Sequence, residues 1–334
     1  MVVTIKDIAI KSGFSIKTVS RVINDKLVSI ETKRKIQKVI DELGYRPNFI
    51  ARSLKTRKTN IIGFIIPDIT NPSFPEIVRG ASDYVSGKGY YVLLCCSDGD
   101  PNKEEVFIKD FNSMLVSGLI IIPSITKNRD ISVFNNLKMP VIILDREISG
   151  INRDIVKFDD IKGATKAINL LISNGCKNIV LLSGPIHTKT SQDRFKASRK
   201  LLEENRLFYE DQVFYGDFSI NSGYEMMNAA LDKLKDIDGV FAFNDLIAIG
   251  AIKAIEEKKL RVPDDISIVG FDDINFIKFT KPCLTTISCS TYDLGRDGAE
   301  ILINRINNLV DFKPIKKILD CELIIRDTVI KRND

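Results

Sequence analysis

Residues Thr4–Ile23 read TIKDIAIKSGFSIKTVSRVI, and the reading of the whole chain starts from them. Ile5, Ile8 and Ala9 recur at helical spacing, so a short helix over Lys6–Ser12 can bury one face. Gly13 suits a tight turn, where a positive φ is costly for any residue carrying a Cβ. Phe14 follows as a plug for a small core. Ser15 is a good N-cap for a second helix, Ile16–Ile23, whose inner face is Val19, Val22 and Ile23. Lys17, Thr18 and Arg21 are left on or near the outer face. This is the layout of a helix-turn-helix whose second helix can enter a DNA groove. An ordinary helical hairpin with a solvated basic face would carry the same pattern.

Charge separates the two readings. The chain of 334 residues has a formal net charge of +5. Residues 1–60 hold 14 Lys and Arg against 5 Asp and Glu, whereas the remainder holds 35 against 39. All of the excess positive charge is therefore concentrated on the small helical unit, which is the electrostatic footprint of a polyanion binder. Ser29 can cap a third helix with a buried stripe of Ile36, Val39, Ile40 and Leu43, ended by Gly44. The segment from Asn48, NFIARSLKTRK, is basic, short and poor in apolar residues, so a helix there is marginal by itself.

From Ile61 the pattern changes. Apolar β-rich runs begin at Ile61, Tyr90, Gly118, Pro140, Asn178, Val213, Gly239 and Ser267. Amphipathic helical stretches separate most of them, among them Pro75–Gly87, Ile161–Asn174, Ser191–Asn205 and Asp245–Lys258. Continuous apolar strands alternating with helices predict doubly wound parallel sheets, and the number of strands predicts two such lobes with a cleft between them. Ligands bind such sheets beyond the carboxyl ends of the strands. The residues there are Asn71, Phe74, Asp145, Arg146, Arg194, Phe218, Asn244, Asp245, Asp272 and Asp273. Carboxylates and amides accept from hydroxyls, guanidinium groups donate in a fixed fork, and Phe stacks on a ring face. The set suits a small polyhydroxylated ligand. A helix N-cap or loop role accounts equally well for any one of these residues taken alone.

Other function classes find less support. The single histidine, His187 in GPIHTKTS, has no evident nucleophile beside it, and no Walker loop, GxSxG elbow or GxGxxG fingerprint occurs, so no enzyme activity, cofactor or metal is expected. None of the six cysteines forms a CxxC pair, which fits reduced thiols of a cytoplasmic protein. No run reads as a signal peptide or membrane span, which disfavours secretion and membrane contact, and with them a transport-type binding protein. A regulator that senses a phosphoprotein instead of a small molecule is a further rival.

These stretches resemble the lactose-repressor (LacI/GalR) family of bacterial transcription regulators over nearly the whole chain. The N-terminal stretch, ELGYRPNFIARSLKT, IIGFIIPDITNPSF, GLIIIP, VIILDR, VGFDD and PCLTTI follow the family's motifs in order. The loop NDKLVSIET looks one residue shorter than usual. The resemblance implies an all-α helix-turn-helix headpiece over 1–46 and a hinge helix and linker over 47–60. It implies an α/β two-lobed core like the periplasmic binding proteins over 61–334, with one lobe of about 61–159 plus 290–320 and the other of about 160–289 plus 321–334. By position, Ile16, Lys17 and Arg21 fall where the family reads major-groove base edges. Thr4, Ser15, Thr18 and Asn24 complete the headpiece contacts. In the hinge, Asn48, Ala51 and Lys55 flank Leu54, which falls where relatives wedge an apolar side chain into the minor groove.

In the core the resemblance is to ribose-type repressors. It covers Asn71, Phe74, Asp145, Arg146, Arg194, Phe218, Asn244 and Asp272, with Thr190 beside Arg194. Ser73 and Cys289 occupy effector positions where bulkier or amide side chains are usual. A pentose such as ribose ranks first as effector, another sugar second, and a purine corepressor, through Phe218, Thr190 and Arg194, third. The expectation is a homodimeric repressor on a pseudo-palindromic operator.

Overall fold

The computed structural model describes residues 3–24, 26–45, 59–124, 131–308 and 313–332. The chain divides into two compact units at Thr59 and Asn60. The expectations for Asn48, Ala51, Leu54 and Lys55 fall outside the described residues.

The first unit contains α1 (Ile5–Ser12), α2 (Ile16–Ile23) and α3 (Ile30–Leu43). Each start is fixed by a side chain. The Thr4 hydroxyl and amide both donate to Asp7 Oδ2, at 2.7 and 2.8 Å. Ser15 Oγ accepts from the Thr18 amide and Ser29 Oγ from the Thr32 amide, at 3.1 and 3.3 Å, satisfying N–H groups that have no partner inside the helix. Gly13 turns the chain between α1 and α2 at φ +72°, in the left-handed region. Ile8, Ala9, Val19, Val22 and Ile36 are buried at the centre, with Phe14, Ile40 and Leu43 packed around them.

The second unit holds two six-stranded sheets. The first has the order β11-β5-β4-β3-β1-β2, all parallel: β1 Ile61–Ile66, β2 Tyr91–Cys96, β3 Gly118–Ile121, β4 Val141–Leu144, β5 Asp154–Phe158 and β11 Lys316–Leu319. The second has the order β12-β10-β9-β8-β6-β7: β6 Ile179–Ser183, β7 Val213–Tyr215, β8 Gly239–Ala242, β9 Ser267–Asp272, β10 Thr285–Cys289 and β12 Cys321–Ile324. It is parallel except for β12, which runs antiparallel to β10.

Helices cover these sheets: α4 Ser73–Ser86, α5 Pro101–Ser113, α6 Ser132–Asn135, α7 Asp160–Ser173, α8 Lys189–Glu204, α9 Ile220–Lys233, α10 Asp245–Glu257 and α11 Thr291–Asn307. Buried strands alternate their side chains between two apolar layers. Ile62, Phe64 and Ile66 of β1 join the cluster that includes Phe74 and Ile77 of α4, whereas Ile65 joins Ile108 and Phe111 of α5.

The crossing of α4 and α11 is unusually close. A Cβ at Gly295 would lie 1.8 Å from the Ile77 carbonyl oxygen, and one at Gly80 would lie 2.0 Å from that of Tyr292. Only glycine at both positions lets the two backbones meet, and this sets the start of α11 beside α4. Among the described residues no helix is long and apolar enough to cross a membrane.

Candidate functional site

In the headpiece, α2 presents its basic face outward. Ser15, Ile16, Lys17 and Arg21 are exposed, with Ile16 at 47%. The side chains of Lys17 and Arg21 have no ion-pair or hydrogen-bond partner among the described residues. Four of the expected contacts are already engaged locally. The Thr4 hydroxyl holds Asp7. Thr18 Oγ1 is 2.9 Å from Ser15 Oγ, and Asn24 Nδ2 donates to the Ser20 carbonyl at 2.6 Å, closing the far end of α2. Ser15, Thr18 and Asn24 thus shape the helix ends, and the two cations of α2, Lys17 and Arg21, are without a partner among the described residues.

In the core, strand ends and helix starts converge on a cleft between the two sheets. Its wall comprises Asn71, Ser73, Phe74, Asp145, Arg146, Thr190, Arg194, Phe218, Asn244 and Asp272, joined by Ile77, Phe158 and Thr291. Of the eleven expected effector residues, Cys289 is the one that does not line it. It is the last residue of β10, registered opposite Cys321 of β12, and both thiols are buried between the strands and the core. Burial and the neighbouring Cys321 push the Cys289 thiol well above its usual range. The pairing partner comes from the distant end of the chain, so nothing local announces it. Ile77, Phe158 and Thr291 were missed for a related reason. The first two read as ordinary core residues, and Thr291 reaches the cleft only through the glycine-mediated crossing of α4 and α11.

The cleft is built on strained and buried polar groups. Asp145 and Asp272, at the ends of β4 and β9, have φ of +64° and +109°. Such conformations are costly for residues with a Cβ and gather at functional sites. Arg194 is 4% exposed. Its Nε donates to Asp160 Oδ1 at 2.8 Å, it donates to the Phe243 carbonyl, and its guanidinium carbon lies 3.5 Å from the centre of the Phe271 ring. Asp272 Oδ1 is 3.7 Å from Arg194 Nη2, and Asp272 Oδ2 accepts from Ser73 Oγ at 3.2 Å. That last bond joins α4 of the first sheet's layers to β9 of the second. Burial opposes the charge on Arg194, but Asp160 and Asp272 outweigh it and hold the guanidinium protonated. Burial and the Asp145 charge raise Asp272 to about 7, against the pull of Arg194. Burial likewise raises Asp160 to about 6.

Arg146, also buried, donates to the Pro123 carbonyl at 3.0 Å, while its Nε, 3.6 Å from Asp145 Oδ2, has no hydrogen-bond partner. Its guanidinium lies between Phe74 and Phe218, 5.7 and 5.9 Å from the two ring centres. Asn244 lines the cleft while capping α10: Oδ1 accepts from the Ile247 amide at 2.9 Å and Nδ2 donates to the Phe218 carbonyl at 3.2 Å. Asp245 and Asp273 do other work. Asp245 is buried and accepts from Thr286 Oγ1 and the Ile274 amide, at 2.6 and 2.9 Å, and Asp273 pairs with Arg326 at 2.6 Å. Among the described residues no cluster of side chains suited to a metal ion occurs. The arrangement offers hydrogen-bond donors, acceptors and two aromatic faces to whatever enters it.

A three-helix headpiece with free cations, joined in one chain to a two-sheet core with a polar cleft, defines a ligand-sensing DNA-binding regulator. Residues 4–48 match the model described as bacterial regulatory proteins, lacI family, and residues 168–329 match the periplasmic binding protein-like domain. The HTH-type transcriptional regulator RegA of Clostridium saccharobutylicum is 36% identical over 99% of this chain and 100% of its own length. The ribose operon repressor of Halalkalibacterium halodurans is 34% identical over 97% and 96%. Among solved structures, the lac repressor dimer bound to operator and the anti-inducer ONPF superposes with a TM-score of 0.90 at 26% identity, covering 99% of this chain and 100% of that one. A LacI-family regulator from Enterococcus faecium with bound ribose gives 0.73 at 28%, covering 82% and 100%. The chain belongs to the LacI family of bacterial transcriptional regulators.

Proposed function

We propose that this chain is a cytoplasmic, homodimeric repressor whose grip on a pseudo-palindromic operator is set by a sugar held in the core cleft, with ribose as first choice. The observation that carries the sugar reading is Arg146: a buried guanidinium with an unsatisfied Nε, flanked by two phenyl rings and faced by Asp145. A ring hydroxyl completes that set, and a sugar's apolar face matches the phenyl groups. The ribose-bound relative and the ribose operon repressor support the choice of ribose.

In this reading Lys17 and Arg21 meet base edges or phosphates in the major groove, Ile16 makes an apolar contact, and Leu54 wedges into the minor groove at the operator centre. Ligand binding closes the cleft and shifts the lobe that follows the hinge in sequence. The sugar and the operator are then coupled reciprocally, by about 1–3 kcal/mol. Calorimetry against pentoses, hexoses and purines, with operator titrations alongside, tests the reading. Arg146→Ala and Asp272→Ala should abolish the response to ribose and leave operator binding intact. Persistent response in both variants assigns the ligand elsewhere.

A further inference from the structure

Lys157 is an odd residue for its place. Of the eight strands with a neighbour on both sides, β5 alone carries a Lys or Arg. Val156 and Phe158 beside it are apolar core, and Lys157 is itself buried. An ammonium group taken out of water needs carboxylates close by. Lys157 draws them chiefly from the other sheet's layers. Its Nζ donates at 3.2 Å to Oδ2 of Asp193 on α8, which is also buried. Burial opposes the Lys157 charge, but Asp160 at the start of α7 and Asp193 outweigh it, with Glu147 adding to them from the first sheet's side. Both α7 and α8 pack on the second sheet.

This tie differs from the other cross-sheet bond, Ser73 to Asp272. Ser73 and Asp272 line the cleft, so a ligand entering there competes for them. Lys157 and Asp193 do not line it, although each is next in sequence to a residue that does, Phe158 and Arg194. A ligand therefore leaves their bond in place. Asp193 has a second partner in its own helix, Lys189.

We propose that Lys157 and Asp193 form a latch between the two sheets, set outside the cleft wall, that governs how readily the cleft opens. The latch does not depend on which ligand binds; its effect on ribose rests on the sugar reading above. Breaking it favours the open arrangement, and a ligand that needs both walls then finds a smaller fraction of molecules competent. A hydrogen bond between charged groups sets the scale, roughly tenfold.

The test is hydrogen–deuterium exchange of the full-length protein without ligand, on the wild type and on Lys157→Met, Asp193→Asn and Lys189→Met, with ribose calorimetry on each. Lys157→Met leaves Asp193 and Asp160 their partners Lys189 and Arg194, so no buried carboxylate is stranded. Asp193→Asn keeps an acceptor for Lys157 and removes the charge. Lys189→Met takes a cation from the same carboxylate without touching the cross-sheet bond. The first two variants should speed exchange at residues 71–77 and 271–274, on opposite walls of the cleft, by roughly three- to tenfold and weaken ribose by a similar factor, with β1 and β8 exchanging as in the wild type. Lys189→Met should do neither. Faster exchange confined to β5 and α8 overturns the latch, because the pair then only packs its own surroundings. Equal opening by Lys189→Met overturns it too, because lost charge and not the lost cross-sheet tie is then the cause. A wild type that binds no ribose removes the sugar reading alone, since the exchange decides the latch without a ligand.

Discussion

The headpiece and the cleft use arginine in opposite ways. Arg21 stands on an exposed helix face with no ion-pair partner among the described residues, whereas Arg194 is buried with Asp160, Asp272 and the Phe271 ring around it. An unpaired surface cation costs the fold little and is free to displace counterions from a polyanion. A buried cation must be neutralised in place, so it becomes part of the core and reports on whatever enters beside it. The two regions therefore separate function from stability to different degrees: in the headpiece they are nearly independent, and in the cleft they are the same interaction.

The widest separation should come from Arg194→Ala, which leaves Asp160 and Asp272 buried without their partner. It is expected to destabilise the core by about 3–5 kcal/mol in urea unfolding, along with loss of ligand response. Unchanged unfolding would mean that water reaches both carboxylates and that the contrast is overdrawn.

Next in size is a pH effect. Asp272 and Asp160 titrate at about 7 and about 6 in the folded chain, above the ordinary 3.8. The folded state thus binds these protons more tightly than the unfolded chain does. Their contribution is most favourable below about pH 4 and is lost as pH rises toward 7. Asp272→Asn removes its share of that slope. Between pH 4 and 7 the wild type should lose roughly 2–4 kcal/mol relative to the variant, measured by denaturant titration at each pH. Parallel curves would contradict the burial of this carboxylate.

Arg21→Ala should act on the other side of the contrast. It is expected to cost roughly 1–3 kcal/mol in operator affinity and to relax preference at one base pair, with the unfolding midpoint unchanged. The smallest effect belongs to Gly13→Ala. Nothing lies within 4 Å of the added Cβ, so only the backbone strain at φ +72° remains, about 1 kcal/mol on headpiece unfolding.

The ease of reading each part from sequence follows the same division. The bounds of α2, Ile16–Ile23, are set by Ser15 and by residues within one turn, so local chemistry was enough. The apolar central strands β1, β3, β4, β8 and β9 announced themselves in the same way. Strands β5, β10, β11 and β12 did not. DIVKF, TTISC, KKIL and CELI are short and mix polar with apolar residues, and they become strands because a neighbour from far along the chain pairs with them. The cleft was legible where its residues sit at strand ends. Its unread members, Ile77, Phe158 and Thr291, and the displaced Cys289 depend on packing between distant segments.

Each sheet takes an edge strand from the last twenty residues of the chain, β11 ending at Leu319 and β12 starting at Cys321, with Asp320 alone between them. Neither sheet can therefore be completed on the ribosome until residues 316–324, which follow the other ten strands, have emerged. The headpiece, made of local contacts, is free to form long before. A nascent chain cut before Lys316 would carry an assembled DNA-reading head on a body in which each sheet lacks one edge strand.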